Sequence, residues 1–219
     1  MHPVAPAVFG QRLELAERYA ALLATAGVQR GLIGPREVDR LWDRHLLNCA
    51  VVGDLVPMGA RIVDVGSGAG LPGLAIAIRR PDLKVDLVES LQRRTDFLSE
   101  AAADLGLSDQ IRVVRGRAED PAVMKEVGDS GWVTARAVAP LERLVRWCLP
   151  LLAGGGRLLA IKGDRARAEL DESAAMIRRA GGIDPEVVTC GAGELDPPTT
   201  VVIVTRKSTT GRTTRGVAG

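Results

Sequence analysis

Aromatic residues and cysteines are both scarce in this sequence, and each shortage excludes a class of function. Phe, Trp and Tyr make up only 3% of the 219 residues, too few for a module that stacks nucleic-acid bases on several rings. The three cysteines, Cys49, Cys148 and Cys190, are odd in number and widely separated, which fits neither a disulfide framework nor a zinc motif. We therefore expect a cytoplasmic protein in a reducing compartment, with no bound metal.

Long apolar runs and a targeting segment are also missing. No stretch approaches the roughly 20 apolar residues that a membrane-spanning helix needs. The first ten residues, MHPVAPAVFG, lack the basic and apolar regions of a secretory signal. These absences predict a soluble protein without a membrane partner.

Charge is distributed unevenly along a chain whose formal net charge is only +2. Residues 206–219 contain four basic residues and no acidic one, and the rest of the chain is close to balanced. This tail is otherwise rich in Ser, Thr and Gly, a composition that predicts disorder. It is either a solvated end or a segment with weak attraction for RNA phosphates.

From residue 61 onward, short apolar segments alternate with helical ones. Strands are predicted at 61–65, 84–88, 111–115, 132–136, 156–162, 185–190 and 199–205, and helices at 72–79, 91–105, 141–152 and 164–180. This alternation favours an α/β fold with a mostly parallel sheet covered on both faces. No helix separates the last two strands, so a hairpin there would make one strand antiparallel.

Two further helices, predicted at 9–26 and 36–52, precede the first strand and would form a cap on the sheet. Hydrophobic residues make up 46% of the chain, enough for a sizeable core. We therefore divide the chain into an N-terminal helical extension at 1–59, an α/β domain at 60–205 and a basic tail at 206–219.

The glycine-rich stretch after the first predicted strand is the strongest ligand-binding signal. Asp64 ends the strand, and Gly66, Gly68 and Gly70 follow at alternate positions. A dinucleotide-binding fingerprint would need its third glycine where Leu71 stands. The pattern instead resembles the first motif of class I S-adenosylmethionine-dependent methyltransferases, whose Rossmann-like fold has seven strands and a final hairpin. An ordinary tight turn without a ligand is the alternative.

Polar residues also follow the second and third predicted strands. Glu89 lies about twenty residues beyond the glycine turn, where an acid commonly accepts hydrogen bonds from ribose hydroxyls; the alternative is a surface carboxylate. Ala118 and Glu119 follow the third strand and are candidates for holding an adenine ring. Asp120, which precedes Pro121, would instead cap a short helix.

Arg136 ends the fourth predicted strand, and a charge there needs a partner if it is buried. Either it pairs with a core carboxylate such as Asp64, or it borders the cofactor and the incoming base. The Asn-Pro-Pro-Tyr loop of exocyclic-amine methyltransferases is absent at this place, since residues 136–140 read RAVAP. Attack by an exocyclic amine is therefore disfavoured.

Other basic residues are candidates for a rim around the same pocket. Lys162 ends the fifth predicted strand, and Arg93 and Arg94 begin the helix after the second. The alternative for these two arginines is an ordinary solvated helix face. Arg44 and His45 lie in the second N-terminal helix, where the histidine is either a substrate contact or a packing residue.

Several stretches together resemble the RsmG (GidB) family of bacterial 16S rRNA guanine-N7 methyltransferases, in particular its actinobacterial members. The matching stretches are LWDRHL at 41–46, IVDVGSGAGLPG at 62–73, ESLQRR at 89–94, RAE at 117–119, RAVA at 136–139 and KG at 162–163. They occur in the family's order and span most of the chain.

The resemblance implies S-adenosylmethionine as cofactor and 16S rRNA as substrate, presented by the 30S subunit or a precursor particle to a monomeric enzyme. It implies cofactor contacts at Gly66, Leu71, Ala118, Glu119 and Arg136, with Glu89 toward the ribose. Asp64, Gly68 and Gly70, at the strand end and in the glycine turn, belong to the same predicted cofactor site. RNA contacts are implied at Arg44, His45, Arg93, Arg94 and Lys162.

Guanine N7 carries no proton, so a general base is not required; Arg136 and Lys162 are candidates for positioning only. Two alternatives to rRNA methylation stay open. One is a small-molecule methyltransferase, and the other is a non-catalytic RNA-binding or assembly factor with this fold.

Overall fold

The computed structural model describes residues 2–136 and 139–208, and in this part of the chain seven strands form one sheet. The strands are β1 Arg61–Val65, β2 Lys84–Glu89, β3 Ile111–Arg115, β4 Ser130–Arg136, β5 Leu152–Lys162, β6 Gly182–Cys190 and β7 Thr199–Arg206. Their spatial order is β3-β2-β1-β4-β5-β7-β6. Only β7 is antiparallel to its neighbours within the described residues. The predicted α/β fold with one antiparallel strand is confirmed.

Helices cover both faces of this sheet. They are α1 Ala5–Phe9, α2 Leu13–Leu22, α3 Leu47–Ala50, α4 Gly73–Arg79, α5 Gln92–Asp104, α6 Pro121–Val127, α7 Leu141–Cys148 and α8 Ala166–Arg179. The first five pack into one apolar cluster and the last three into another. Successive strand residues point to opposite faces, so Ile62 joins the first cluster and its neighbour Val63 the second.

The second N-terminal helix differs from the continuous one that its periodicity predicts. A 3-10 segment, Pro35–Arg40, is followed by a π-helical segment, Leu41–Leu46, before α3 begins. Wide π turns are rare and often occur at functional sites. This one contains Arg44 and His45, which both contact Arg136 on β4. A hydrophobic period cannot reveal such a turn, because the apolar face continues through it.

The N-terminal helices share their core with the sheet. The fully buried Tyr19 on α2 donates its hydroxyl hydrogen to the carbonyl of Ala69, 2.8 Å away in the glycine turn. Arg79 at the end of α4 donates to the carbonyl of Val8 at 2.6 Å and pairs with Asp54 at 2.8 Å. The N-terminal segment therefore supports the turn that follows β1.

The predicted basic tail begins at the last residue of the last strand. Arg206, the first residue of the predicted basic tail, ends β7, while residues 209–219 lie outside the described part of the chain. Within the described ranges, no helix combines the length and apolar composition that crossing a membrane requires.

Gly73 allows α4 to approach the sheet closely. A Cβ atom at this position would lie 2.7 Å from Asp64 Oδ2 and closer still to the side chain of Leu87 on β2. Tight helix–strand packing is the role of the third glycine in a dinucleotide fingerprint. Here that role falls to Gly73, two residues beyond Leu71.

We expect Gly73→Ala to lower the free energy of unfolding by about 1–3 kcal/mol, because the added methyl group overpacks the contact with β2. Urea denaturation followed by circular dichroism measures the change. The matched control is Gly131→Ala in β4, where an added Cβ meets nothing within 4 Å. Equal unfolding midpoints for the two variants would show that α4 does not depend on this close approach.

Candidate functional site

The candidate site lies at the carboxyl ends of the parallel strands, beside the point where strand order reverses. The chain runs outward from β1 to β2 and β3, then returns to β4 on the other side of β1. Open α/β sheets bind ligands in the crevice at such a switch point. A pocket of about 580 Å³ lies here, with walls from the segments that follow the first four strands.

The glycine turn is held against β2. Gly66, Gly68 and Gly70 have φ angles of 73°, 59° and 94°, a region that favours glycine. The N–H groups of Gly66 and Ser67 donate to the carbonyl of Val88 at 2.9 and 3.2 Å. Gly66 lines the pocket, whereas Gly68 and Gly70 are not among its lining residues. The turn is attached to the neighbouring strand.

Glu89 is a buried part of the pocket wall and not a surface carboxylate, being 4% exposed. Its Oε1 accepts the N–H groups of Ser90 and Leu91 at 2.8 and 3.0 Å. Its Oε2 accepts the N–H of Gly68 at 3.1 Å and lies 3.4 Å from Arg94 Nη1. A carboxylate offers about four lone-pair positions, so Oε2 can also accept a ligand hydroxyl.

The loop after β3 forms the opposite wall. Gly116 donates its N–H to the backbone carbonyl of Glu89 at 3.0 Å, and Ala118 and Glu119 line the pocket. Asp120 precedes α6 but makes no side-chain cap bond to it. Its Oδ2 accepts the N–H of Arg117 at 2.8 Å instead, which fixes the loop rather than the helix.

Asp64 lies beneath the glycine turn and has no exposed surface. Its Oδ2 accepts the N–H of Gly73 at 3.0 Å, and Oδ1 has no hydrogen-bond partner among the described residues. Burial raises the pKa of this carboxyl to about 7, and the bond from Gly73 opposes that shift. Gly70 and Leu71 are also buried, and neither they nor Asp64 line either of the two pockets at this sheet edge.

A second pocket of about 930 Å³ adjoins the first. The N-terminal cap contributes Arg44, His45 and Asn48, the end of β5 contributes Lys162, and the segment 197–200 closes another side. Arg136 lines both pockets, so its side chain lies at their boundary.

The guanidinium of Arg136 is held by the cap. Its Nη1 donates to His45 Nδ1 at 2.9 Å and to the carbonyl of Arg44 at 3.3 Å. The buried Nε has no partner within the described residues, and no ion pair with Asp64 is formed among them. An unpaired buried donor between two pockets is suited to an acceptor on a bound molecule.

The cations of the second pocket are matched by carboxylates. Lys162 Nζ lies 2.8 Å from Glu169 Oε2, and Arg165 lies 3.3 Å from Glu172. Arg44 lies 3.4 Å from Glu37. The expected basic rim is therefore close to electrically balanced at this pocket.

The two arginines at the start of α5 lie in different surroundings. Arg94 lines the first pocket, beside Glu89, rather than the second. Arg93 is exposed and lines neither of these two pockets in the described part of the chain. Their roles in RNA binding stay predictions.

Several lining residues escaped the sequence reasoning. Trp147 on α7 reaches the first pocket, and Asn48 and Glu169 line the second. The hydroxyl of Thr199 lies 3.1 Å from both oxygens of Asn48 and so joins the cap to β7. Each of these residues reaches the site from a distant element, and no local motif indicates it.

Solved structures identify the class of fold. An S-adenosylmethionine-dependent O-methyltransferase from Thermotoga maritima superposes with a TM-score of 0.54 at 16% identity, covering 80% of this chain and 72% of that one. A precorrin-6y C5,15-methyltransferase from Geobacter metallireducens gives 0.52 at 12% identity, covering 80% and 91%. The fold is that of the class I methyltransferases, as the sequence predicted.

Sequence relatives identify the family. The model of the family GidB, rRNA small subunit methyltransferase G, matches residues 12–196. Proteins named Ribosomal RNA small subunit methyltransferase G include that of Salinispora tropica, 59% identical over 205 residues, covering 91% of this chain and 84% of the relative. That of Mycobacterium marinum is 56% identical over 207 residues, covering 94% and 90%. The chain belongs to the rRNA small subunit methyltransferase G family and is therefore a methyltransferase; the sequence resemblance is confirmed.

We expect Asp64→Asn to remove a pH dependence of stability. The carboxyl has a pKa of about 7 in the folded chain against 3.8 ordinarily. Between these values the folded state retains a proton that the unfolded state has released. The contribution of the Asp64 carboxyl to the free energy of unfolding therefore falls as pH rises from about 4 to about 7.

Urea denaturation at about pH 5 and about pH 7.5 measures the effect. Between these two pH values the free energy of unfolding should fall more in the parent than in Asp64→Asn, by on the order of 2–4 kcal/mol. The control is Asp171→Asn on the exposed face of α8, which should follow the parent. Parallel stability curves for the parent and Asp64→Asn would mean that this carboxyl titrates normally.

Proposed function

We propose that this chain transfers a methyl group from S-adenosylmethionine to guanine N7 of 16S rRNA in the small ribosomal subunit. The observation that carries the proposal is that two pockets at one sheet edge meet at Arg136. One pocket has the features of a nucleoside site and the other is lined by the cap. A donor and an acceptor bound in the two pockets would meet beside this side chain, with N7 in line with the methyl group.

The residues of the first pocket fit the donor. Its volume of about 580 Å³ falls within the roughly 300–1,000 Å³ of small-molecule sites. Glu89 would accept hydrogen bonds from the ribose hydroxyls, and Ala118 with Glu119 would border the adenine ring. The unpaired Nε of Arg136 would meet an anionic group. S-adenosylmethionine, when bound, supplies a methyl group on a positively charged sulfur.

The second pocket suits an unstacked guanine. N7 of a paired guanine faces the deep major groove of RNA, which side chains cannot enter, so the base must leave the helix. N7 has a lone pair and no proton, so the enzyme needs to orient the base rather than deprotonate it. The near balance of charge in its wall does not oppose a purine that becomes cationic.

The charge balance of this pocket supports a folded particle as the substrate. Lys162, Arg165 and Arg44 each lie within 3.4 Å of a carboxylate, so their attraction for RNA phosphates is largely compensated. Affinity for naked RNA depends on uncompensated cations. The substrate is therefore the 30S subunit or a precursor that presents the guanine.

The remaining parts of the proposal concern assembly and location. That the enzyme acts as a monomer stays a prediction. All three cysteines are buried free thiols, which supports a location in the reducing cytoplasm, where ribosomes are assembled.

Methyl transfer from radiolabelled donor, followed by mass spectrometry of 16S rRNA nucleosides, tests the proposal. We expect label in N7-methylguanosine, with 30S particles modified faster than naked 16S rRNA. Label in another nucleoside would contradict the N7 assignment. Donor binding without transfer to 30S particles or to naked 16S rRNA would favour a non-catalytic assembly factor. Transfer only to small molecules would favour a small-molecule methyltransferase.

We expect Gly68→Asp to weaken donor binding on the order of 100-fold or more, about 3 kcal/mol at 1.4 kcal/mol per tenfold. The new carboxylate would occupy the backbone approach and repel Glu89, whose Oε2 lies 3.1 Å from Gly68 N. Within the protein a Cβ here meets only the Gly66 carbonyl, at 3.8 Å, so folding should persist. Isothermal titration calorimetry measures the affinity.

Gly106→Asp is the matched control for this variant. Gly106 has a similar φ of 68° and open space around it, and it lies between α5 and β3, away from both pockets. It should bind the donor like the parent. An unchanged affinity of Gly68→Asp would contradict a donor site at the glycine turn.

A further inference from the structure

A chain of two hydrogen bonds links the N-terminal cap to Arg136. Glu37, in the 3-10 segment Pro35–Arg40, has its Oε2 3.0 Å from His45 Nε2. The other ring nitrogen, Nδ1, lies 2.9 Å from Arg136 Nη1 at the end of β4. The histidine side chain is 15% exposed and that of Glu37 33%, so the ring of His45 is sheltered and the Glu37 carboxylate is partly hydrated.

The two hydrogen-bond partners of His45, Glu37 and Arg136, determine which ring nitrogen carries the proton. A guanidinium has donors and no acceptor and stays charged in proteins. Nδ1 must therefore accept from Arg136, and the ring proton lies on Nε2, where Glu37 accepts it. This arrangement requires neutral imidazole in one tautomer, since a protonated ring offers donors at both nitrogens.

We propose that Glu37 and His45 are positioning residues that hold Arg136 at the boundary between the donor and guanine pockets. Arg136 has no ion-pair partner among the described residues, and its side-chain hydrogen bonds there are to the cap. The cap therefore sets the position of Arg136, which is the one residue of the described ranges that lines both pockets. This inference rests on the proposed function for the roles of the pockets.

Protonation of His45 would break the contact with Arg136. The charged groups facing the ring are Glu37 and Arg44 from the cap and Arg136 from β4; Lys162 and Glu169 lie across the pocket. Burial and the charge of Arg136 lower the pKa of His45, while Glu37 opposes the shift. The contact therefore persists to a lower pH than an ordinary histidine would allow, and is lost below it.

Other titrating groups lie near Arg136, so a pH profile needs a variant that isolates His45. The buried Asp64, Cys49 and Tyr19 all interact with the charge of Arg136. His45→Asn serves this purpose, because its amide oxygen can accept near the position of Nδ1 and does not titrate. His2→Asn, at the only other histidine of the sequence, is the matched control.

The first test measures kcat and KM for 30S methylation against pH. We expect His45→Ala and Glu37→Ala to lower kcat about 10- to 100-fold, as a misplaced positioning group does. His45→Ala should also lower the melting temperature, because Arg136 loses an acceptor, and His45→Asn should restore it. His45→Asn should have most of the kcat of the parent. The decrease of kcat toward acidic pH should be smaller in His45→Asn than in the parent, because the asparagine does not titrate. Full activity of His45→Ala, or an acid limb identical in His45→Asn and His2→Asn, would overturn the proposal.

The second test does not depend on methylation. Nitrogen-15 NMR of the imidazole rings reports which ring nitrogen carries the proton, and His45→Asn assigns the signal. We expect a neutral His45 ring with its proton on Nε2 near neutral pH, and Glu37→Ala should disturb this tautomer. A proton on Nδ1 would overturn the proposal even if the enzyme methylates rRNA; the expected tautomer without methyl transfer would count against the proposed function alone.

Discussion

A charged guanidinium that is partly buried at the end of a central strand needs acceptors, because burying an unpaired charge is costly. Arg136 meets this requirement through the cap, at His45 Nδ1 and the Arg44 carbonyl. The constraint joins the two halves of the molecule. The sheet carries the arginine to the switch point, and the π-helical segment Leu41–Leu46 supplies its acceptors. The position of the side chain between the pockets follows from both.

The first pocket depends on a comparable gathering of backbone groups. The carboxylate of Glu89 accepts N–H groups from the glycine turn and from the start of α5, and its backbone carbonyl accepts one from the loop after β3. One buried residue thus holds three loops together. Beneath them, Asp64 and Gly73 attach α4 to β1. The site is therefore preorganised by elements that also stabilise the fold.

Much of this architecture could be predicted, because strands, turns and glycine positions are encoded locally. The glycine turn, Glu89 and Arg136 all stand at strand ends, where a parallel sheet gathers its ligands. Features that depend on tertiary contacts could not be predicted from the sequence. The pairing of Lys162 with Glu169 removes free charge that the sequence leads one to expect. Trp147 lines the first pocket from α7. The helical period of the sequence predicts that Trp147 lies in a helix, but it does not show which residues the side chain contacts.

The most direct measurement of the central claim is a crystal structure of the protein soaked with S-adenosylhomocysteine, the demethylated product of the donor. The account predicts density in the pocket bordered by Glu89, Ala118 and Arg136, with the ribose hydroxyls against the Glu89 carboxylate. The second pocket should remain open on the far side of Arg136. A first pocket without ligand at saturating concentration, or a ligand bound only on the cap side of Arg136, would contradict it.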